Sequence, residues 1–167
     1  MNYFEMFPKI YYNLSTTVVP DVTIVLDITR RIKLRDIIIN ASVFYDLYLI
    51  QDTDTPEIVS DRFYGSPFYH WIIMLANDII DVKTDWPMNN AVFEQYIINT
   101  YDLNKLGAHH YVNADGLEVD ASTIGATPVS NYDYEMALND SKRAIKIVKP
   151  DLLDSVVNQF QVSILKE

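Results

Sequence analysis

Four carboxylates crowd into ten residues, Asp52, Asp54, Glu57 and Asp61, and a close pair of this kind is the equipment of a glycosidase-like acid and base. That chemistry needs one carboxyl held neutral by an apolar pocket. Here the four fall in a polar turn and on the outer face of a short helix, where water keeps them ionised, so capping and solubility are the roles expected of them. The histidines offer no better constellation. His109 and His110 are neighbours in an expected strand and should point to opposite faces, and His70 stands alone in an apolar helix, where a packed, hydrogen-bonded ring is expected. Asp78, Asp81 and Asp85 lack the alternating spacing, central glycine and closing glutamate of a calcium loop. No serine sits in a nucleophile elbow. There is no cysteine, which removes disulfides, thiolate metal sites and cysteine nucleophiles. The glycines, Gly65, Gly107, Gly116 and Gly125, are too dispersed to cradle a phosphate. No catalytic residue, cofactor or metal is expected, and the chain does not read as an enzyme.

The elements that would carry these side chains are legible from local grammar. Of 167 residues, 49% are hydrophobic and 13% aromatic, enough for a core and against disorder. Residues 1–35 are rich in β-formers, Tyr11, Tyr12, Val18, Val19, Val22, Ile24 and Leu26, punctuated by Pro8 and Pro20, and read as an extended arm separable from a folded body. The run from Ile37 to Ile50 contains a strand over Phe44 to Gln51. Thr55 and Pro56 open a short helix with Ile58, Val59, Arg62 and Phe63 inward, closed at Tyr64-Gly65. Ser66-Pro67 opens a second helix, Phe68 to Ala76, apolar nearly all round and so expected to be buried, with Asn77 as a left-handed stop. A loop around Trp86-Pro87 leads to a helix over about Asn90 to Tyr101. His109 to Val112 and Leu117 to Val119 flank Asp115-Gly116 as a hairpin. A polar loop, a helix near Tyr132 to Arg143, a strand Ala144 to Val148 and a helix from Pro150 complete the chain.

Charge divides unevenly. Residues 1–35 hold five basic and three acidic side chains, 36–141 three and seventeen, and 142–167 five and three. The acidic body disfavours nucleic acid and anionic lipid. The N-terminal stretch lacks the form of an export signal, and Phe68 to Ala76 is about half the length that spans a bilayer, so a soluble chain is expected. The basic ends around Arg30-Arg31 and Arg143-Lys146 are either solvated faces or contacts for an acidic protein surface. Tyrosine, twelve in all, suits surfaces that are apolar but wet at one end, and part of this set is expected at interfaces.

The order Tyr48-Leu49-Ile50, Asp52-Thr53-Asp54-Thr55, Ile58-Val59, Phe63-Tyr64-Gly65, Trp71, Ala76-Asn77 and Ile79 resembles a LysM module, with Gln51 where a glycine is usual. A wider resemblance covers nearly the whole chain. It rests on Phe7-Pro8-Lys9-Ile10-Tyr11-Tyr12, Asp27-Ile28-Thr29-Arg30-Arg31, the stretch Phe63 to Trp71, Trp86-Pro87, His109-His110-Tyr111-Val112 and Lys142 to Val148. In these the sequence is similar to the LysM-containing baseplate wedge proteins of T-even-like contractile-tailed bacteriophages.

That resemblance implies an α+β fold: a small LysM-like βααβ core at 36–88, an N-terminal arm at 1–35, and a helix, hairpin and C-terminal strand-helix region at 89–167. It further implies a structural subunit of the virion tail baseplate, assembled in the host cytoplasm, docking to other wedge and inner baseplate proteins and to neighbouring wedges in a sixfold ring around the hub. No nucleic-acid, membrane or small-molecule partner is expected. The residues expected at partner interfaces are Phe7, Pro8, Tyr11, Tyr12, Arg30, Arg31, Asp54, Thr55, Asn77, Ile79, Arg143 and Lys146. The competing reading is a LysM-type peptidoglycan-binding module, gripping sugar between Asp52 to Pro56 and Asn77 to Ile80. A hydrolase acting through Asp52 to Asp61 has the least support.

Overall fold

The computed structural model describes residues 3–16, 19–30 and 42–166. The fold is mixed helix and strand, as the α+β expectation required. The chain forms two compact units, one from residues up to Leu47, Asp54–Ile80 and the residues from Lys146 onward, the other from Tyr48–Thr53 and Asp81–Ile145. The chain enters each unit more than once. The expectations for Arg31 and for the start of the Ile37 run lie outside the described residues.

In the first unit a 3-10 turn, Tyr3–Met6, leads into an antiparallel hairpin of β1 (Lys9–Asn13) and β2 (Val22–Leu26). The ladder continues past both ends: Leu14 N–H donates to the Asp21 carbonyl at 2.8 Å and Asp27 N–H to the Pro8 carbonyl at 2.9 Å. Helix α1 (Pro56–Tyr64) begins as its residues dictate, with the Thr55 side chain accepting from Ile58 N–H and Pro56 in the first turn. It ends at Gly65, whose φ of 68° is the left-handed state glycine adopts without steric cost. Ser66 caps the 3-10 turn Pro67–Tyr69, which runs into α2 (His70–Ala76). The left-handed residue after α2 is Asp78, with φ 54°, and not Asn77, whose amide is committed elsewhere.

Strand β3 (Tyr45–Leu49) pairs with β7 (Ala144–Val148), and a 3-10 turn, Pro150–Leu152, opens the final helix α6 (Leu153–Lys166). The α6 stripe of Leu153, Val156, Phe160 and Ile164 is buried as its spacing requires. It packs with Trp71, Ile72 and Ala76 of α2, with Val148, and with Met6 and Phe7. Trp71 lies 4.7 Å from the Phe160 ring and 5.4 Å from Tyr3. Met6 and Phe7 are thus part of the core, with Tyr3 packed against it, so the arm expected over 1–35 is anchored at its start, while the strands of the hairpin are largely exposed. Two further expectations change. Ile58 and Phe68 are exposed, and Ser60 takes the inward place beside Val59 because its hydroxyl donates to the Ser66 carbonyl at 2.7 Å.

The second unit contains α3 (Val82–Asp85), α4 (Asn90–Tyr101), a 3-10 turn Asp102–Leu106, strands β4 (Ala108–Val112), β5 (Glu118–Val119) and β6 (Thr127–Ser130), and α5 (Asn131–Ser141). The expected Asp-Gly hairpin joins β4 to β5, and β6, which the polar loop concealed, completes the sheet in the order β5-β4-β6. Phe93 and Ile97 of α4 are buried, with Phe93 edge-on to Tyr132 of α5 at 5.5 Å. Two tyrosine–glutamate bonds stitch these helices, Tyr101 to Glu135 and Tyr132 to Glu94, each 2.7 Å. Asn139 exchanges two hydrogen bonds with the Met88 backbone. No helix among the described residues is long and apolar enough to cross a membrane.

Truncating Trp71 to alanine should cost about 3–5 kcal/mol, read as the loss in urea-unfolding free energy, since the ring is 4% exposed and central to its cluster. Deleting residues 1–7 should also destabilise, by removing Met6 and Phe7. The alkaline limb is predictable as well. Bonding to the Glu135 carboxylate holds the Tyr101 hydroxyl up to about 12, and burial pushes Tyr64 up. Folding therefore favours the protonated phenols, a contribution complete below pH 10.0, the ordinary value, and lost as pH rises toward 12. The stability of Tyr101→Phe, followed from neutral pH upward, should fall less steeply than that of the parent.

Candidate docking surface

The residues expected at partner interfaces separate into two groups. Most are tied into their own chain. Phe7 is 5% exposed and belongs to the core, so it is withdrawn from the surface; Pro8 is half-buried. Arg30 donates through Nε to Asp27 at 3.0 Å and through Nη1 to the Ile164 carbonyl at 2.8 Å, where it neutralises the last turn of α6. Asp54 is buried and receives both Arg62 guanidinium nitrogens, at 2.8 and 3.3 Å, so it is ion-paired and not bathed in solvent as the turn suggested. Thr55 is exposed, with its hydroxyl spent on capping α1. Ile79 is half-buried and donates its N–H to the Met74 carbonyl at 2.9 Å. Arg143 bonds Asp140 at 2.9 Å and reaches the Ile50 and Met88 carbonyls. The Lys146 ammonium lies 5.2 Å above the Tyr45 ring. These cations hold the fold's own backbone and rings.

Tyr11 and Tyr12 are different. They stand on the hairpin, 79% and 54% exposed. The register places Tyr11 opposite Ile24, with Lys9 opposite Leu26 and Asn13 opposite Val22, on one face. Ile10 opposite Val25 and Tyr12 opposite Thr23 form the other. Ile24 is 59% exposed, and Val22, Leu14 and Ile28 are exposed with it. A surface ribbon in an ordinary antiparallel sheet has one apolar and one polar face. This one carries apolar side chains on both, beside Lys9 and Asn13 on the first and Thr23 on the second, where Thr23 and Val25 are half-buried, and its five-residue ladder shows no bulge. Val22, Ile24 and Leu26 were visible in the sequence as β-formers; their exposure was not, because apolar residues at both parities read equally well as a buried strand.

The groups that a sugar would have to engage are occupied. The Asn77 amide donates to the Ile73 and Lys146 carbonyls, each 2.8 Å, and its oxygen accepts the Lys146 N–H at 2.7 Å. Both of its N–H donors are thereby consumed. Asp52 accepts from Asn90 N–H at 2.9 Å, at the first turn of α4. Of the four carboxylates examined for acid–base work, none has a neutralising apolar pocket of the kind that work needs: Asp54 is salt-bridged, and Asp52, Glu57 and Asp61 are exposed. His70 is half-buried, with its Nδ1 2.9 Å from the Pro67 carbonyl. The two remaining histidines contradict their expected divergence: the β4–β6 register shifts between Ala108 and His110, and the two Nδ1 atoms stand 2.9 Å apart.

A chain whose polar side chains are engaged with one another, and which presents an apolar ribbon on a firm root, has the makings of a structural subunit held by other proteins. The family model for Base plate wedge protein 53 matches residues 2–122, and the chain belongs to that family of phage baseplate wedge components. Baseplate membership implies a place in the virion tail, in association with other baseplate proteins. A search of curated proteins gave no match.

Replacing Asn77 with alanine leaves the Lys146 N–H and two carbonyls without their partner, and should cost about 1–3 kcal/mol in a denaturant melt. A stability unchanged by this substitution would mean that the amide is not structural.

Proposed function

We propose that this chain is a non-enzymatic subunit of the baseplate wedge which docks to neighbouring wedge and inner baseplate proteins and helps adjacent wedges close into a sixfold ring around the hub, assembling in the host cytoplasm before the tail is complete. The observation that carries this reading is the β1–β2 ribbon. Two strands alone are marginal in water, and apolar side chains on both faces gain their full hydrophobic return only when each face is covered. A free monomer would leave Tyr11, Val22 and Ile24 in solvent; a crowded assembly sandwiches them. Tyr12 and Ile10 supply the second face, so one hairpin can contact two neighbours. LysM-like sugar binding is the second reading, and the internally consumed Asn77 amide argues against it.

The test uses charge on the ribbon. Val22→Lys with Ile24→Lys alters exposed positions, so the purified variant should melt within about 1 kcal/mol of the parent. It should nevertheless fail to enter wedge complexes reconstituted from the other baseplate proteins, judged by co-sedimentation. Normal incorporation would sink the docking role of the hairpin. Salt-resistant retention of the parent on purified peptidoglycan would instead favour the sugar reading.

A further inference from the structure

We propose that His109 and His110 form a two-nitrogen clamp for one divalent ion of the nickel or copper kind. Consecutive strand residues point to opposite faces, and these two do not, because an irregularity in the β4–β6 ladder falls between Ala108 and His110. Bulges re-aim side chains in this way and concentrate where a side chain has work to do. The rings stand at 89° to each other with their Nδ1 atoms 2.9 Å apart. Two imidazole nitrogens at right angles around a metal, each at a bond length of about 2.0–2.1 Å, are separated by about 2.9 Å. Square-planar and octahedral ions ask for that angle, and imidazole suits copper and nickel.

The rings are held in place before any ion arrives. Tyr134 lies flat on His109, centroids 3.8 Å apart and 10° from parallel, and meets His110 edge-on at 5.8 Å. The adjoining carboxylates of α5 are turned to other work, Asp133 to Ser130 and Glu135 to Tyr101. His109 is exposed, which gives an ion a path in. Among the described residues no group of three or more His, Asp or Glu side chains converges, so two protein nitrogens bind and water completes the shell. Without metal, one Nδ1–H donates to the other ring; with metal, both protons sit on Nε2 and both Nδ1 lone pairs face the ion.

Calorimetric titration of the untagged full chain with nickel or copper chloride should show one ion per chain. His109→Gln and His110→Gln should each weaken binding by about tenfold or more, while His70→Gln leaves it unchanged. The electron paramagnetic resonance spectrum of the copper-loaded parent should carry splitting from two imidazole nitrogens, a readout independent of how the variants fold. Absence of saturable binding, a spectrum with one nitrogen or none, or binding that survives replacement of both residues would overturn the site.

Discussion

The packing of the first residues onto Trp71 and Phe160 is the constraint on which the first unit rests. Tyr3 touches both rings, and Met6 and Phe7 fill the cluster made by α2 and α6. Arg30, just beyond the second strand, grips the Ile164 carbonyl at the other end of α6. The hairpin therefore leaves the body and returns to it at fixed points. Without that rooting, a two-stranded ribbon would be one conformer among many, and docking would first have to order it, at a cost in affinity.

Function in this chain follows from where hydrogen bonds have already been made. Arg30, Arg143, Lys146 and Asn77 look like surface chemistry in a string of letters. Folded, each satisfies a backbone carbonyl, an acid or a ring of its own chain. Arg30, Arg143 and Lys146 thus do structural work in an acidic protein, while the β1–β2 hairpin leaves apolar side chains exposed.

Much of the fold could be read from local signals. Thr55-Pro56 and Gly65 bracket α1, Asp115-Gly116 turns the β4–β5 hairpin, and the strand Ala144–Val148 and the stripe from Leu153 to Ile164 stand where their spacing put them. What escaped was long-range or depended on a single bond. Nothing near Met6 and Phe7 announces that they meet a helix more than a hundred residues away. Ser60 lies inward only because Ser66 receives its hydroxyl, and no window of hydrophobicity contains that fact. The β1–β2 pairing has no tight-turn signature, since eight residues separate its strands. As for exposure, Tyr11 and Tyr12 stand in solvent, whereas Phe7 belongs to the same aromatic run and is buried, a difference of direction that residue type does not carry. The histidine pair was misjudged for a related reason: the period-two rule holds for a regular ladder, and this one is irregular at that point.

The first unit draws its core from both extremes of the described sequence, with Met6 and Phe7 resting on Leu153, Val156 and Phe160. During synthesis the early residues emerge on the order of ten seconds or more before the helix they need. Until then Met6 and Phe7 lack the helix against which they pack. The core of the first unit can close only after that helix has left the ribosome, a delay written into chain order.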